Sequence, residues 1–284
     1  MPKRNDATWV PDIKVFNRIF PYLMTKRSES LVYYNMEIEM TNAVNYIRQK
    51  NKDCGEKRYR IFDVLLASLV RTFALKPLLN RFIANSEYWQ RKELSFNFIV
   101  KKDLTEDAPE RNAIVKFNPD MTFDEIAAII YKAINDAREN DESGEESTIK
   151  FFLKMPKFLL RFAIKQLKRM DEKGHYPKAL READGLHVSA YVANLGSINI
   201  ANPPIHHLYE WGTTSLFFTM GKMHRKRLLD ENDNEYIKDT LEMMVTLDER
   251  IAEGFYYMKA IKTLQTYIEN PKLLEKRPDL SNAR

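Results

Sequence analysis

Groups able to do chemistry are spread unevenly along the 284-residue chain. Asp248, Glu249, Arg250 and Glu253 crowd into Met244-Val245-Thr246-Leu247-Asp248-Glu249-Arg250-Ile251-Ala252-Glu253-Gly254. The first residues of this run read as a strand. After Gly254, Phe255, Met258, Ile261, Leu264 and Ile268 form an apolar stripe at helical spacing. Glu269-Asn270-Pro271 ends that helix, because Asn can cap and proline cannot continue. The ionisable group therefore sits in a tight turn between strand and helix. A glutamate of ordinary pKa, ~4.3, is a weak base toward a thiol of pKa ~8.5. Burial raises such a carboxyl, and a neighbouring Arg250 opposes the rise.

Other reactive residues are isolated. His206-His207 stand together with Glu210 nearby. They read either as a metal site or as structural turn histidines, and no third ligand lies at a zinc-type spacing. His175, His187 and His224 each stand alone. Cys54 is the 1 cysteine, in the polar run Lys52-Asp53-Cys54-Gly55-Glu56-Lys57. A lone cysteine excludes an intramolecular disulfide and fits a reducing compartment. With no helix apparent around it, it reads as a loop cysteine without a catalytic role.

The elements that position these residues follow from periodicity. Phe16, Ile19, Phe20, Leu23 and Met24 predict a helix, ending at Met24-Thr25-Lys26-Arg27-Ser28. A β-rich strand follows over 31–39, and then a helix capped by Thr41. Residues 61–76 form a strongly apolar helix that stops at Lys76-Pro77-Leu78-Leu79-Asn80. Strands are expected over 94–100 and 113–117, with a polar turn over 102–110 between them. Thr122-Phe123-Asp124-Glu125 is a capping-box pattern opening a helix. That helix runs into an acidic loop over 138–147, read as solvated surface. Residues 155–170 form an amphipathic helix with a basic face. A membrane surface or acidic partner is one reading of it; the preferred one packs it on the domain with its Lys and Arg in water. Strands ending at Ala193-Asn194-Leu195-Gly196 and over 215–222 complete the chain.

Composition bounds the function. Hydrophobic residues make up 44%, enough for a substantial core, and 8 Gly and 12 Pro argue against low complexity. Charges of 45 basic and 40 acidic residues give a mixed-sign surface rather than the concentrated basicity of a nucleic-acid binder. The first residues, Met1-Pro2-Lys3-Arg4-Asn5-Asp6-Ala7-Thr8-Trp9, have no secretory apolar core. No stretch reaches the ~18–20 uncharged residues of a membrane span. A cytoplasmic protein is expected, with no nucleic-acid or membrane partner.

The strand–turn–helix over 244–268 resembles the C-terminal signature of two related families. They are the chloramphenicol acetyltransferases, with H-x-x-x-D-G, and the catalytic domains of 2-oxoacid dehydrogenase (dihydrolipoyl) acyltransferases, with D-H-R-x-x-D-G. Asp248, Arg250 and Gly254 match that frame; Glu249 replaces the catalytic His, and Glu253 replaces the structural Asp. Asn194-Leu195-Gly196 resembles the S-N-L-G strand end, with Ala193 where the family has its oxyanion-binding Ser. Ser189 lies four residues upstream, ~13 Å away on an extended chain. Asn202-Pro203-Pro204 and Phe218-Thr219-Met220-Gly221-Lys222 match further landmarks in the family's order.

The resemblance covers nearly all of residues 1–284, as one catalytic-type domain without a lipoyl or subunit-binding domain and without a covalent lipoyl group. It implies an α/β, chloramphenicol acetyltransferase-like two-layer fold with a mixed sheet covered by helices. It implies coenzyme A or acyl-CoA as ligand, a small thiol as acceptor, no metal, and a homotrimer with sites between subunits, Leu216-Phe217-Phe218 being the expected contact strand. Glu249, Ala193 and Asn194 occupy the catalytic positions; Asp248, Arg250, Glu253 and Gly254 hold the turn, Arg250 pairing with the residue at 253 in the family pattern. Three functions stay open: an acyltransferase domain with altered or lost catalysis, a working enzyme with Glu249 as base, or a non-enzymatic trimeric scaffold or interaction subunit.

Overall fold

The computed structural model describes residues 3–101, 110–139, 149–150 and 152–281. Strand β1 (Ala7–Trp9) opens the chain; a short helix α1 (Phe20–Leu23) and β2 (Leu31–Glu39) follow. Helices α2 (Thr41–Cys54) and α3 (Ile61–Leu75) precede four strands: β3 (Arg81–Ala84), β4 (Glu87–Arg91), β5 (Leu94–Lys101) and β6 (Glu110–Phe117). Then come α4 (Phe123–Glu139), α5 (Lys157–Glu172), α6 (Lys178–Ala183) and β7 (Ala190–Asn194). The chain finishes with β8 (Leu216–Met220), β9 (His224–Leu229), β10 (Glu235–Asp248) and α7 (Gly254–Glu269).

The expected α/β architecture is present. A 7-stranded mixed sheet runs β2-β10-β8-β7-β5-β6, with β9 paired to β10. The β5–β7 and β7–β8 ladders are parallel, and the others are antiparallel. Helix α3 is apolar nearly all round and is buried along almost its whole length between the sheet and the outer helices. On the opposite face, Tyr191, Phe217 and Leu208 form a smaller cluster beneath the segment that leads into β8. No helix among the described residues is long and apolar enough to cross a membrane.

Several expectations change. Leu216, Phe217 and Phe218 are buried inside the chain, because β8 lies between β10 and β7 with both faces covered; they are not a contact strand. Cys54 is the last residue of α2 rather than a loop residue, followed by left-handed Gly55. Thr41 is the first helical residue, and its predecessor Met40 holds the cap position. On α7 the buried row is Tyr257, Ala260, Ile261, Leu264 and Ile268, while Phe255 and Met258 face out. The expected helix near residue 16 shrinks to the single turn of α1, with Phe16, Ile19, Tyr22 and Leu23 exposed. A second sheet, β1-β4-β3, was not anticipated. Apart from Glu110, the polar turn over 102–110 lies outside the described residues, as do residues 140–147 of the acidic run.

Two glycines bring the end of β7 against the end of β8. A Cβ on Gly196 would stand 2.8 Å from the Gly221 carbonyl oxygen, and one on Gly221 would stand 2.0 Å from that of Ala201. Backbone cannot yield as a flexible side chain does, so Gly221→Ala is expected to lower stability by ~1–3 kcal/mol, as overpacking does. Thermal unfolding of the variant measures this, and an unchanged midpoint would show that the turn gives way freely.

Candidate active site

Strand β10 ends at Asp248, whose carboxylate is fully buried. Oδ1 accepts from the Ser30 hydroxyl at 2.9 Å, from Arg250 Nε at 2.8 Å and from the Arg250 backbone N–H at 3.1 Å. Oδ2 accepts from Arg250 Nη2 at 2.6 Å. Arg250 Nη1 reaches the Met24 carbonyl at 2.9 Å, and the Tyr257 hydroxyl donates to the Asp248 carbonyl at 2.7 Å. Burial acts to lower the Arg250 pKa, but the Asp248 hydrogen bond and charge outweigh it and raise it. This lattice ties β10, the segment before β2, and α7 into one rigid turn.

Glu249 stands on that turn. Its backbone N–H donates to the Ser30 carbonyl at 2.9 Å. Its side chain is exposed and has no hydrogen-bond or ion-pair partner among the described residues. Glu253 does not pair with Arg250. It caps α7 from an exposed position, 2.7 Å from Lys14 Nζ and 3.3 Å from Asn17 Nδ2. With its extra methylene, Glu253 turns outward, and Arg250 pairs with Asp248 instead.

Ala193 and Asn194 lie elsewhere. Ala193 pairs with Thr219, which pairs with Met244. Ala193 is thus level with a residue five positions before Glu249 on β10, ~16 Å along the strands and two strands across. One chain does not bring them together. Ala193 and Asn194 line their own cleft of about 320 Å³, with Arg60, Phe62, Phe98 and Ser197. Ser189 does not stand in for the missing serine: it is buried in the sheet before β7 begins, its hydroxyl oxygen accepting the Ser95 N–H at 3.0 Å.

The histidine pair is brought against β10 at Thr246, three residues before Glu249. Thr246 donates its hydroxyl to the His206 carbonyl. The His206 ring stacks on Phe217 at 4.0 Å and 8°. Its Nδ1 lies 2.7 Å from the His207 carbonyl, to which an Nδ1–H donates. The same loop docks on the chain before β2. Arg27 donates to the Tyr209 and Gly212 carbonyls, and the Glu210 carboxylate accepts the N–H groups of Arg27 and Ser28 at 3.1 and 2.9 Å. Arg27, Glu210, Trp211, Asp171 and Arg250 line a cleft of about 270 Å³ beside the turn. Spacing alone could not reveal this placement, since it depends on a loop folding back over the sheet.

A buried His187 borders the cleft through Asp171. Its ring nitrogens lie 3.2 Å from Asp171 and 3.0 Å from Asp184, at ion-pair distance without hydrogen-bond geometry. The ring stacks on Tyr176. Burial disfavours the imidazolium, yet the two carboxylates raise the His187 pKa. For Asp171, burial acts to raise the pKa, but His187 and Arg4 outweigh it and hold the group down at about 2; Asp184 is lowered in the same way, chiefly by His187.

No protein-family model and no curated protein matches this chain in sequence. Solved structures match its fold. The dihydrolipoamide acetyltransferase of Azotobacter vinelandii, studied for the role of a serine, a histidine and an asparagine in its catalytic mechanism, aligns with TM-score 0.58 and 12% identity over 93% of each chain. The cubic core of a pyruvate dehydrogenase multienzyme complex aligns with TM-score 0.53 and 12% identity over 93% of each. A chloramphenicol acetyltransferase aligns with TM-score 0.53 and 14% identity over 92% of this chain and 99% of that one. The fold is the one shared by these acetyltransferases.

Removing Arg250 leaves Asp248 buried and under-compensated. Arg250→Ala is expected to cost ~3–5 kcal/mol in denaturant unfolding; an unchanged midpoint would show that the pair contributes nothing. The His187 cluster gives a pH dependence. A raised histidine pKa stabilises fully below the unfolded value of ~6.5, and that contribution is lost as pH rises through the folded value. The lowered carboxylates stabilise above ~3.9 and lose that contribution as pH falls through their folded values. Wild type should therefore lose stability from neutral toward alkaline pH more steeply than His187→Asn, and parallel profiles would place a neutral imidazole between the carboxylates.

Proposed function

We propose that this protein is a coenzyme A-dependent acyltransferase-fold protein in which catalysis by the family's histidine route is altered or lost. The observation that carries this reading is the contrast at the turn. The support that presents residue 249 is fully built from Asp248, Arg250, Ser30 and Tyr257, while residue 249 itself is an exposed glutamate without a side-chain partner among the described residues. Acyl transfer to a thiol needs a base for the attacking proton and a donor for the oxyanion. Ala193 supplies no donor, and Glu249 has its carboxylate in solvent unless a second subunit covers it.

The assembly we propose is a homotrimer with composite sites. The separation of Glu249 and Ala193 in one chain, ~16 Å along the sheet, supports it, since a neighbouring copy could set them face to face. So does an apolar surface near the turn, including Val15, Phe16, Tyr22, Leu23 and Phe255, all exposed in the single chain. The chain would act on acyl-CoA and a small thiol in the cytoplasm, without a metal or lipoyl group. The alternative, a non-enzymatic trimeric scaffold, is favoured by the simultaneous replacement of base and oxyanion donor.

The test is thiol release from acetyl-CoA with dihydrolipoamide as acceptor. Wild type should turn over slowly, and Glu249→His alone should gain little. Glu249→His with Ala193→Ser should exceed both, since a base contributes ~10²–10⁴ and an oxyanion donor ~10²–10³ in rate. If wild type is already fast and Glu249→Gln abolishes it, Glu249 is a working base and the lost-catalysis reading fails. If neither wild type nor the double variant binds coenzyme A at millimolar concentration, the scaffold reading replaces it. Light scattering checks the trimer, and a monodisperse monomer at micromolar concentration would exclude it.

A further inference from the structure

We infer that helix α5 is an in-plane anchor that lays this protein on an anionic lipid surface. None of its residues is buried, although half of them are apolar. The partly covered positions, Leu160, Ala163, Gln166 and Leu167, are spaced as one face turned to the domain. At 100° per residue, Phe158 and Phe162 fall on the opposite side, one turn apart and 70% and 61% exposed. Arg161, Lys165 and Arg169 are interleaved with them on that side, and Lys157 and Lys168 flank it.

The acidic residues of the helix, Asp171 and Glu172, sit at its last turn, and Asp171 is drawn inward by Arg4 and His187. The outward face therefore carries phenylalanine and five basic residues against one exposed carboxylate, Glu172, at its C-terminal end. This combination suits the boundary between phosphate headgroups and acyl chains: the rings enter the apolar layer, and the long basic stems reach back to the phosphates. Upstream, exposed Leu153 and Lys154 continue the same composition. Exposed phenylalanines among basic stems fit an apolar layer beneath anionic headgroups better than an acidic polypeptide, which would leave the rings uncovered. The preferred reading of the sequence, a helix packed on the domain with its Lys and Arg in water, accounts for the Leu160 row and the exposed basic residues but not for the exposed Phe158 and Phe162.

The experiment is co-sedimentation of the full chain with vesicles of phosphatidylcholine alone or mixed with phosphatidylglycerol, at low and high salt. Binding should be at least about tenfold tighter to the anionic vesicles and weaken with salt. Phe158→Glu/Phe162→Glu and Lys165→Glu/Arg169→Glu should each abolish it while leaving the melting temperature unchanged, because these side chains face away from the domain. Equal binding to neutral and anionic vesicles, or none to either, overturns the proposal. So does binding to anionic vesicles that survives the phenylalanine changes, or binding to polyglutamate lost only with the basic residues, which marks an acidic polypeptide as the partner. A change in oligomeric mass of the phenylalanine variant without lipid would show that a second copy covers the helix, and would overturn it too.

Discussion

A carboxylate buried at the end of a central strand has to be neutralised where it lies. Asp248 meets this with the Arg250 guanidinium, the Ser30 hydroxyl and a backbone N–H, while Arg27 stands 4.0 Å away. The partners come from different parts of the chain, so satisfying one charge fixes the path of the segment before β2, the end of β10 and the start of α7. Arg27, held in the same neighbourhood, in turn anchors the loop that carries His206 and His207. Much of what surrounds residue 249 follows from the need to compensate this group, because an uncompensated charge in such a place is strongly destabilising.

The strands and long helices were readable because their burial obeys simple periods. Helix α3 is apolar nearly all round, and β10 ends in an apolar run that has to lie inside a sheet. Where two registers compete, periodicity misleads. Phe255 and Met258 continue an apolar row on α7, yet the core is reached by Tyr257 and Ala260 in the neighbouring row. The hairpin of β3 and β4 turns at Asn85-Ser86 with both residues at positive φ. Without a glycine there, the usual turn signal was missing.

The site was legible in part and for a different reason. Asp248 and Arg250 announce themselves as charges in a turn but not as partners, since the family pattern sets Arg250 against residue 253 and the bond forms to Asp248. Position in the motif sets Glu253 against Arg250, but its carboxylate lies with Lys14 and Asn17 at the exposed start of α7. The approach of the histidine loop was invisible because it depends on contacts between residues far apart in sequence, such as Thr246 with His206 and Glu210 with Ser28. The His187 pair with Asp171 and Asp184 was hidden likewise, since only Asp184 is close to it in the chain.

The contact between Gly196 and Gly221 bears on how such a chain is recognised at all. Asn194-Leu195-Gly196 and Phe218-Thr219-Met220-Gly221-Lys222 meet because two stretches of main chain touch with no room for a side chain. That requirement belongs to the joint between strands and is indifferent to whatever reaction occurs nearby. The close backbone approach at 196 and 221 excludes any larger residue there, whatever side chain stands at 193. Glycines placed in this way report the geometry of the joint and carry no information about the chemistry beside it.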